Sequence, residues 1–173
     1  GGAEGGSCVN TILYYNQAMR GANWLVSGAV SPPEFDYSCT TPLPGSGTSN
    51  FTAAPLLAGF LNGHLLPGSP CIGAGITQAW MTAETDCDDE SRLNGAAVDV
   101  GWDQFWPTGC TDALQLRILF PSGDRAVPGA LLPMMACDNE GRPLSIVWDF
   151  GDGAAESNAA YVTHAWATEG VKA

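Results

Sequence analysis

Three features of the sequence predict an all-β protein of short strands and many turns. First, Ile146, Trp148 and Phe150 alternate with Val147 and Asp149, the period-2 signature of a half-buried strand, and Gly151-Asp152-Gly153 then stops it. Second, helix formers are scarce: Lys172 is the sole lysine, against 22 Gly and 12 Pro. Third, short β-branched and aromatic runs such as Cys8–Tyr15 sit between breakers. At 45% hydrophobic residues there is enough apolar material for packed cores. The length of 173 residues allows one domain or two small ones.

Taken in order, the Gly-rich start (1–6) leads into a strand over Cys8–Tyr15 that turns at Asn16. Residues 20–34 are loop-like, broken by Gly21, Gly28, Pro32 and Pro33, with Trp24-Leu25-Val26 as a short strand. Phe35–Cys39 follows, then a Pro/Gly/Ser-rich stretch at 42–49 and Phe51-Thr52. Asn62-Gly63 turns before His64-Leu65-Leu66, which places His64 on an exposed loop. Trp102, Phe105 and Trp106 are expected to pack the end of the first half or its junction with the second. Beyond a linker, Leu114, Leu116, Ile118 and Phe120 share one face of a strand. Val127–Ala136 is a second strand that its prolines confine to a sheet edge. Asp138–Gly141 turns into the Trp148 strand, and Tyr161–Trp166 forms another. A buried Trp on a strand followed by a sharp turn suits a small sandwich.

The formal charge of −12 argues against nucleic acid and anionic membrane, which need clustered Lys and Arg. No apolar run approaches the ~20 residues of a spanning helix. The six cysteines allow fifteen pairings, and no C-x-x-C occurs to mark a zinc ribbon or redox dithiol. Export would permit disulfides. The intervals from Cys8 to Cys39 and from Cys39 to Cys71 are 31 and 32 residues. Such intervals fit rungs of a solenoid stacking like residue on like.

Asp86, Asp88, Asp89 and Glu90 crowd one loop. Asp86, Asp88 and Glu90 imitate the start of an EF-hand loop, which makes them the candidate ligands for Ca2+. Ser91 stands where the EF-hand glycine belongs, and Ala97 where its bidentate Glu belongs. The competing reading, preferred on chemistry, pairs Arg92 with Asp86 or Asp99 to pin the loop. No catalytic residue is expected. Glycoside hydrolysis needs two carboxylates facing each other ~5 to 9.5 Å apart, which neighbours in one loop do not provide. Lyase chemistry on acidic sugars needs basic groups, and Arg20 and Arg92 are the only ones in the first half. No G-x-S-x-G elbow exists.

Two blocks of sequence resemble known families. Residues 148–153 (WDFGDG), then Thr163-His164-Ala165-Trp166 and Glu169-Gly170, resemble the polycystic kidney disease (PKD) repeat, an Ig-like sandwich of extracellular proteins. Trp166 takes the aromatic position and Glu169 replaces a proline; the chain stops at Ala173, where the last strand of that pattern begins. Residues 8–16, 37–57 and 65–75 resemble the C-terminal rungs of bacterial right-handed parallel β-helix proteins. So do the acidic loop Thr85–Arg92 and Val98–Asp103, in that order, although Asp89-Glu90 lacks the family's glycine.

The resemblances imply the terminal rungs and cap of a parallel β-helix over 1–103, a linker over 104–111, and a C-terminally truncated PKD-like sandwich over 112–173. They also imply a secreted or cell-surface bacterial location. The expected role is structural or adhesive, without catalysis, with extracellular polysaccharide or cell-surface proteins as partners. The alternative is an accessory part of a polysaccharide lyase or glycoside hydrolase whose active site lies in upstream rungs. His164 is expected to bond a backbone group.

Overall fold

The computed structural model describes residues 6–19, 21–25, 33–59, 63–107, 116–137 and 145–171. The expected turns at Asn62-Gly63 and Asp138–Gly141, linker residues 108–111, Val26 and Leu114 fall wholly or partly outside them. The protein is all-β: nine short strands and a single 3-10 turn (Ala79–Thr82) are present among the described residues. The sheets are small, of two or three strands each. The chain divides into two compact units, 1–55 with 68–106, and 56–67 with 107–173.

The first unit is built on parallel pairs. Strand β1 (Ser7–Val9) pairs with β3 (Glu34–Asp36), and β2 (Ile12–Leu13) with β4 (Cys39–Thr40). Cys39 also bridges Phe51 in parallel. The Cys8–Tyr15 run is therefore two strands, because Asn10 takes a left-handed φ of 52° and turns the chain between them. Tyr37, at φ 48°, makes the matching corner between β3 and β4. Asn enters this region at little cost, whereas Tyr does so only when its surroundings impose it. The register pairs Cys8 with Phe35 and Ile12 with Cys39, so Cys8 and Cys39 do not stack on each other. Strand pairing fixes a register, and the loops between strands absorb the extra residues that set the cysteine interval.

Polar side chains stitch these pairs together. The Ser38 hydroxyl accepts the Thr11 N–H and donates to the Cys8 or Asp36 carbonyl. The Asn50 amide accepts the Ser38 N–H and donates to the Phe35 carbonyl at 2.7 Å. Asn10 clasps Ile76 through both its amide atoms, each at 2.8 Å. Phe35, Cys39, Cys71, Val98 and Val100 are buried here.

The second unit is antiparallel. Strands β5 (Arg117–Leu119), β6 (Leu132–Cys137) and β9 (Tyr161–His164) form one sheet in the order β5-β6-β9. Strands β7 (Val147–Asp149) and β8 (Ala155–Ser157) form a hairpin. The expected alternation holds at β7: Trp148 and Phe150 are buried, while Val147 is 67% exposed. They pack with Met134, Ala136 and Val162, so one core joins both sheets.

Three expectations fail in the packing of this unit. β6 is the central strand, not an edge, despite Pro133. The Ala136 N–H points to Ala160 on the β9 side, so by alternation position 133 would point its N–H toward β5. The β5 ladder has already ended at Leu119 opposite Met135, and the missing donor costs no ladder bond. In β5 the predicted apolar face is not covered, and Ile118 is 50% exposed. The residues 56–67 fold back on themselves, with Leu57 opposite Leu65 and the Ala58 N–H on the His64 carbonyl. His64, Leu65 and Leu66 are all buried, contrary to the exposed loop expected of His64.

Candidate functional site

The acidic loop is held by the carboxylate of Asp86. Thr85 bridges Ser91 across the loop, and the Asp86 N–H donates to the Glu90 carbonyl at 2.8 Å. One Asp86 oxygen accepts the N–H groups of Asp88 and Glu90, each at 3.0 Å. The other accepts the Gln104 N–H at 3.1 Å. Asp89, at φ 62°, supplies the left-handed turn of the loop. Asp tolerates that conformation because its short side chain bonds locally.

Asp99 does the same work on the following segment. It is fully buried, and its oxygens accept the N–H of Gly73 at 2.7 Å and of Phe105 at 2.6 Å. Its own N–H donates to the Gln104 side chain. Burial pushes the Asp99 carboxyl above its usual range, although Gly73, Phe105, Gln104 and the charge of Arg92 pull it down. Residues 104 and 105, expected in a linker, are thereby fastened into the first unit. Of the three aromatics Trp102, Phe105 and Trp106, the first is 55% exposed, while the other two are half-buried.

Arg92 is buried, and its Nη2 donates to the Gly101 carbonyl at 2.9 Å. The expected ion pair with Asp86 or Asp99 is not formed; the oxygens of both carboxylates accept backbone N–H groups. Arg92 still pins the loop, but to a carbonyl.

Among the described residues, the expected ligand set of Asp86, Asp88 and Glu90 does not converge. Asp88 instead joins Cys87 and Asp103, each offering one ligand atom within 4.8 Å of the others. Asp103 is buried, while Cys87 and Asp88 are exposed. Burial of its sulfur, then the charges of Asp88, Asp103 and Asp86, pushes the Cys87 thiol up to about 12. A metal ion would have to displace that proton to gain the thiolate. Cys87 was not legible as a ligand, since nothing in its spacing joins it to Asp103.

In the second unit, Asp149 and Asp152 organise the hairpin turn. Their carboxylates accept the N–H groups of Gly151 at 2.9 Å and Ala154 at 3.1 Å. The second Asp152 oxygen meets His164 Nε2 at 2.8 Å, so His164 bonds a carboxylate and not the backbone group expected. The His164 ring stacks on Phe150 at 4.0 Å, nearly parallel, and Trp166 meets both rings edge-on. Trp166 Nε1 donates to the Phe150 carbonyl and Trp148 Nε1 to that of Ala159, each at 2.7 Å. The WDFGDG block and the Thr-His-Ala-Trp block thus form one clamp. The bond from His164, with that from Ala154, holds the Asp152 carboxyl below its usual range.

An open depression of about 310 Å³ in the first unit is lined by Val9, Asp36, Tyr37, Thr48, Ile76 and Gln78. Its one carboxylate, Asp36, accepts the Thr48 N–H at 2.6 Å. Among the described residues no helix is long and apolar enough to cross a membrane. No family model matches the chain, and no curated protein or solved structure matches it.

Proposed function

We propose that the chain is a non-catalytic structural part of an exported bacterial surface protein: closing rungs of a parallel β-helix, followed by a PKD-type sandwich. The observation that carries this reading is the use of the motif carboxylates. Asp86, Asp99, Asp149 and Asp152 all accept backbone N–H groups. An acceptor engaged by backbone donors stabilises a turn and is poorly placed to move protons for a substrate. Parallel pairing of β1 with β3 and β2 with β4, joined by loops and no helix, supports the solenoid reading. A core shared by two antiparallel sheets supports the sandwich reading.

The role is to space and display a larger surface protein. The test is to incubate the chain with a panel of extracellular polysaccharides and to probe a glycan array. Neither new reducing or unsaturated sugar ends nor selective retention is expected. Sugar ends would make it an enzyme, and reproducible retention of one glycan class would make it a binding module.

A further inference from the structure

Cys39 and Cys71 are both free and fully buried within the first unit, their side chains within hydrogen-bonding reach of each other. They come from different layers. Cys39 opens β4, where its N–H donates to the Thr11 carbonyl at 2.9 Å. Cys71 lies in a turn whose carbonyl accepts the Val100 N–H at 2.9 Å. Residues 53–55 brace both: Cys39 Sγ is 3.3 Å from the Ala53 carbonyl. The Ser69 hydroxyl accepts the Cys71 N–H and donates to the Pro55 carbonyl. Both backbones are therefore fixed, and one short stretch of chain holds the two cysteines side by side. Tyr15 is close enough to feel both thiols, which, after burial and Tyr14, help push its hydroxyl up to about 12.

We propose that Cys39 and Cys71 form a disulfide in the oxidised protein, clipping residues 1–55 to 68–106, the two stretches of chain that make the first unit. Thiols within hydrogen-bonding reach need only a small shift to bond. Cys8 pairs in register with Phe35, and Cys87 is exposed in the acidic loop, so neither has this placement. The reaction consumes one molecule of a small disulfide such as oxidised glutathione. One cysteine thiolate displaces a glutathione thiolate to give a mixed disulfide; the second cysteine displaces the other. The S–S bond forms, the glutathione disulfide is reduced to two thiols, and the two protein thiol protons go to them. Contact with Cys71, then burial, holds the Cys39 thiol far above its usual range, so the folded, reduced pair is slow to react. Exchange takes place before the unit closes.

The full chain is refolded from denaturant in a glutathione buffer, alkylated in denaturant without reductant, digested and mapped by mass spectrometry. The expected product is a peptide pair joined through Cys39 and Cys71, lighter by two hydrogen atoms. Closing a loop of this length also predicts that full reduction lowers Tm by about 10 °C or more. The same protein refolded without oxidant should resist alkylation at both positions until denaturant is added. Recovery of both cysteines alkylated from the oxidised sample, or of either one paired elsewhere, overturns the proposal. This mapping uses the natural sequence, so it does not depend on any variant folding.

Discussion

In residues 7–55 and 68–106, strands of two or three residues pair in parallel, and side-chain amides, hydroxyls and carboxylates make many of the connections between segments. In residues 116–171, neighbouring strands pair antiparallel, backbone bonds carry the sheets, and one aromatic-rich cluster fills the core. The contrast has a physical basis. Parallel strands cannot be joined by a tight hairpin, so their connections are long and leave many backbone groups without a ladder partner. Polar side chains must satisfy them. Antiparallel strands pair locally through short turns, which leaves side chains free to pack.

The contrast predicts different weak points. Trp148→Ala should have the largest effect, about 3–5 kcal/mol, because it empties the core joining both sheets of the second unit. Urea unfolding measures the loss. Hydrogen exchange should locate it at Met134–Ala136 and Tyr161–His164; equal loss at the Ile76 and Gly101 amides would break the division between the units.

Asn10→Ala should cost about 2–4 kcal/mol, since it orphans both the N–H and the carbonyl of Ile76 and places alanine at a left-handed φ. Exchange should quicken at Ile76 and at Gly101, whose N–H donates to the Asn10 carbonyl. A cost below about 0.5 kcal/mol would show that the parallel unit does not depend on its polar stitching.

Asp99→Ala should cost about 1–3 kcal/mol by freeing the Gly73 and Phe105 N–H groups. The raised carboxyl of Asp99 sets the pH dependence. Its linked stability is fully present below the unfolded pKa, near 3.9, and fades as pH rises through the higher folded value. The variant should therefore lose more, relative to the natural chain, in acid than at neutral pH. Paired urea titrations on either side of that range give the comparison, and the reverse trend would refute the burial effect.

Asp152→Ala should have the smallest effect, and the opposite pH dependence. The lowered carboxyl contributes stability that is present above its unfolded pKa and lost as pH falls through the folded value. The natural and variant chains should differ in Tm at pH 5 and converge in strong acid. A difference that persists at the lowest pH would mean that the charge of the Asp152 carboxylate is not what stabilises the turn.

The sequence made the second unit easier to read than the first. Alternation from Ile146 to Phe150 and the Gly-Asp-Gly turn are local, and both appear as expected. The central position of β6 was hidden because it depends on where β5 stops, which Pro133 does not reveal. His64 looked exposed because it follows a polar Asn-Gly turn, but its side chain is buried, which depends on segments distant in the chain. In the acidic loop, carboxylate count and spacing were legible. Which carboxylates meet a metal-sized point, and which turn onto N–H groups, was not.

By itself, then, the sequence determined what depends on near neighbours: the all-β class, the strand at Trp148, the glycine turns and the crowding of acids at 86–90. Tertiary structure alone decided that Asp86 and Asp99 cap backbone, that Arg92 meets a carbonyl, and that Cys39 lies against Cys71 while Cys8 does not. Local periodicity is written in side-chain type. Partners far apart in the chain are chosen by register and loop closure, which depend on every segment at once.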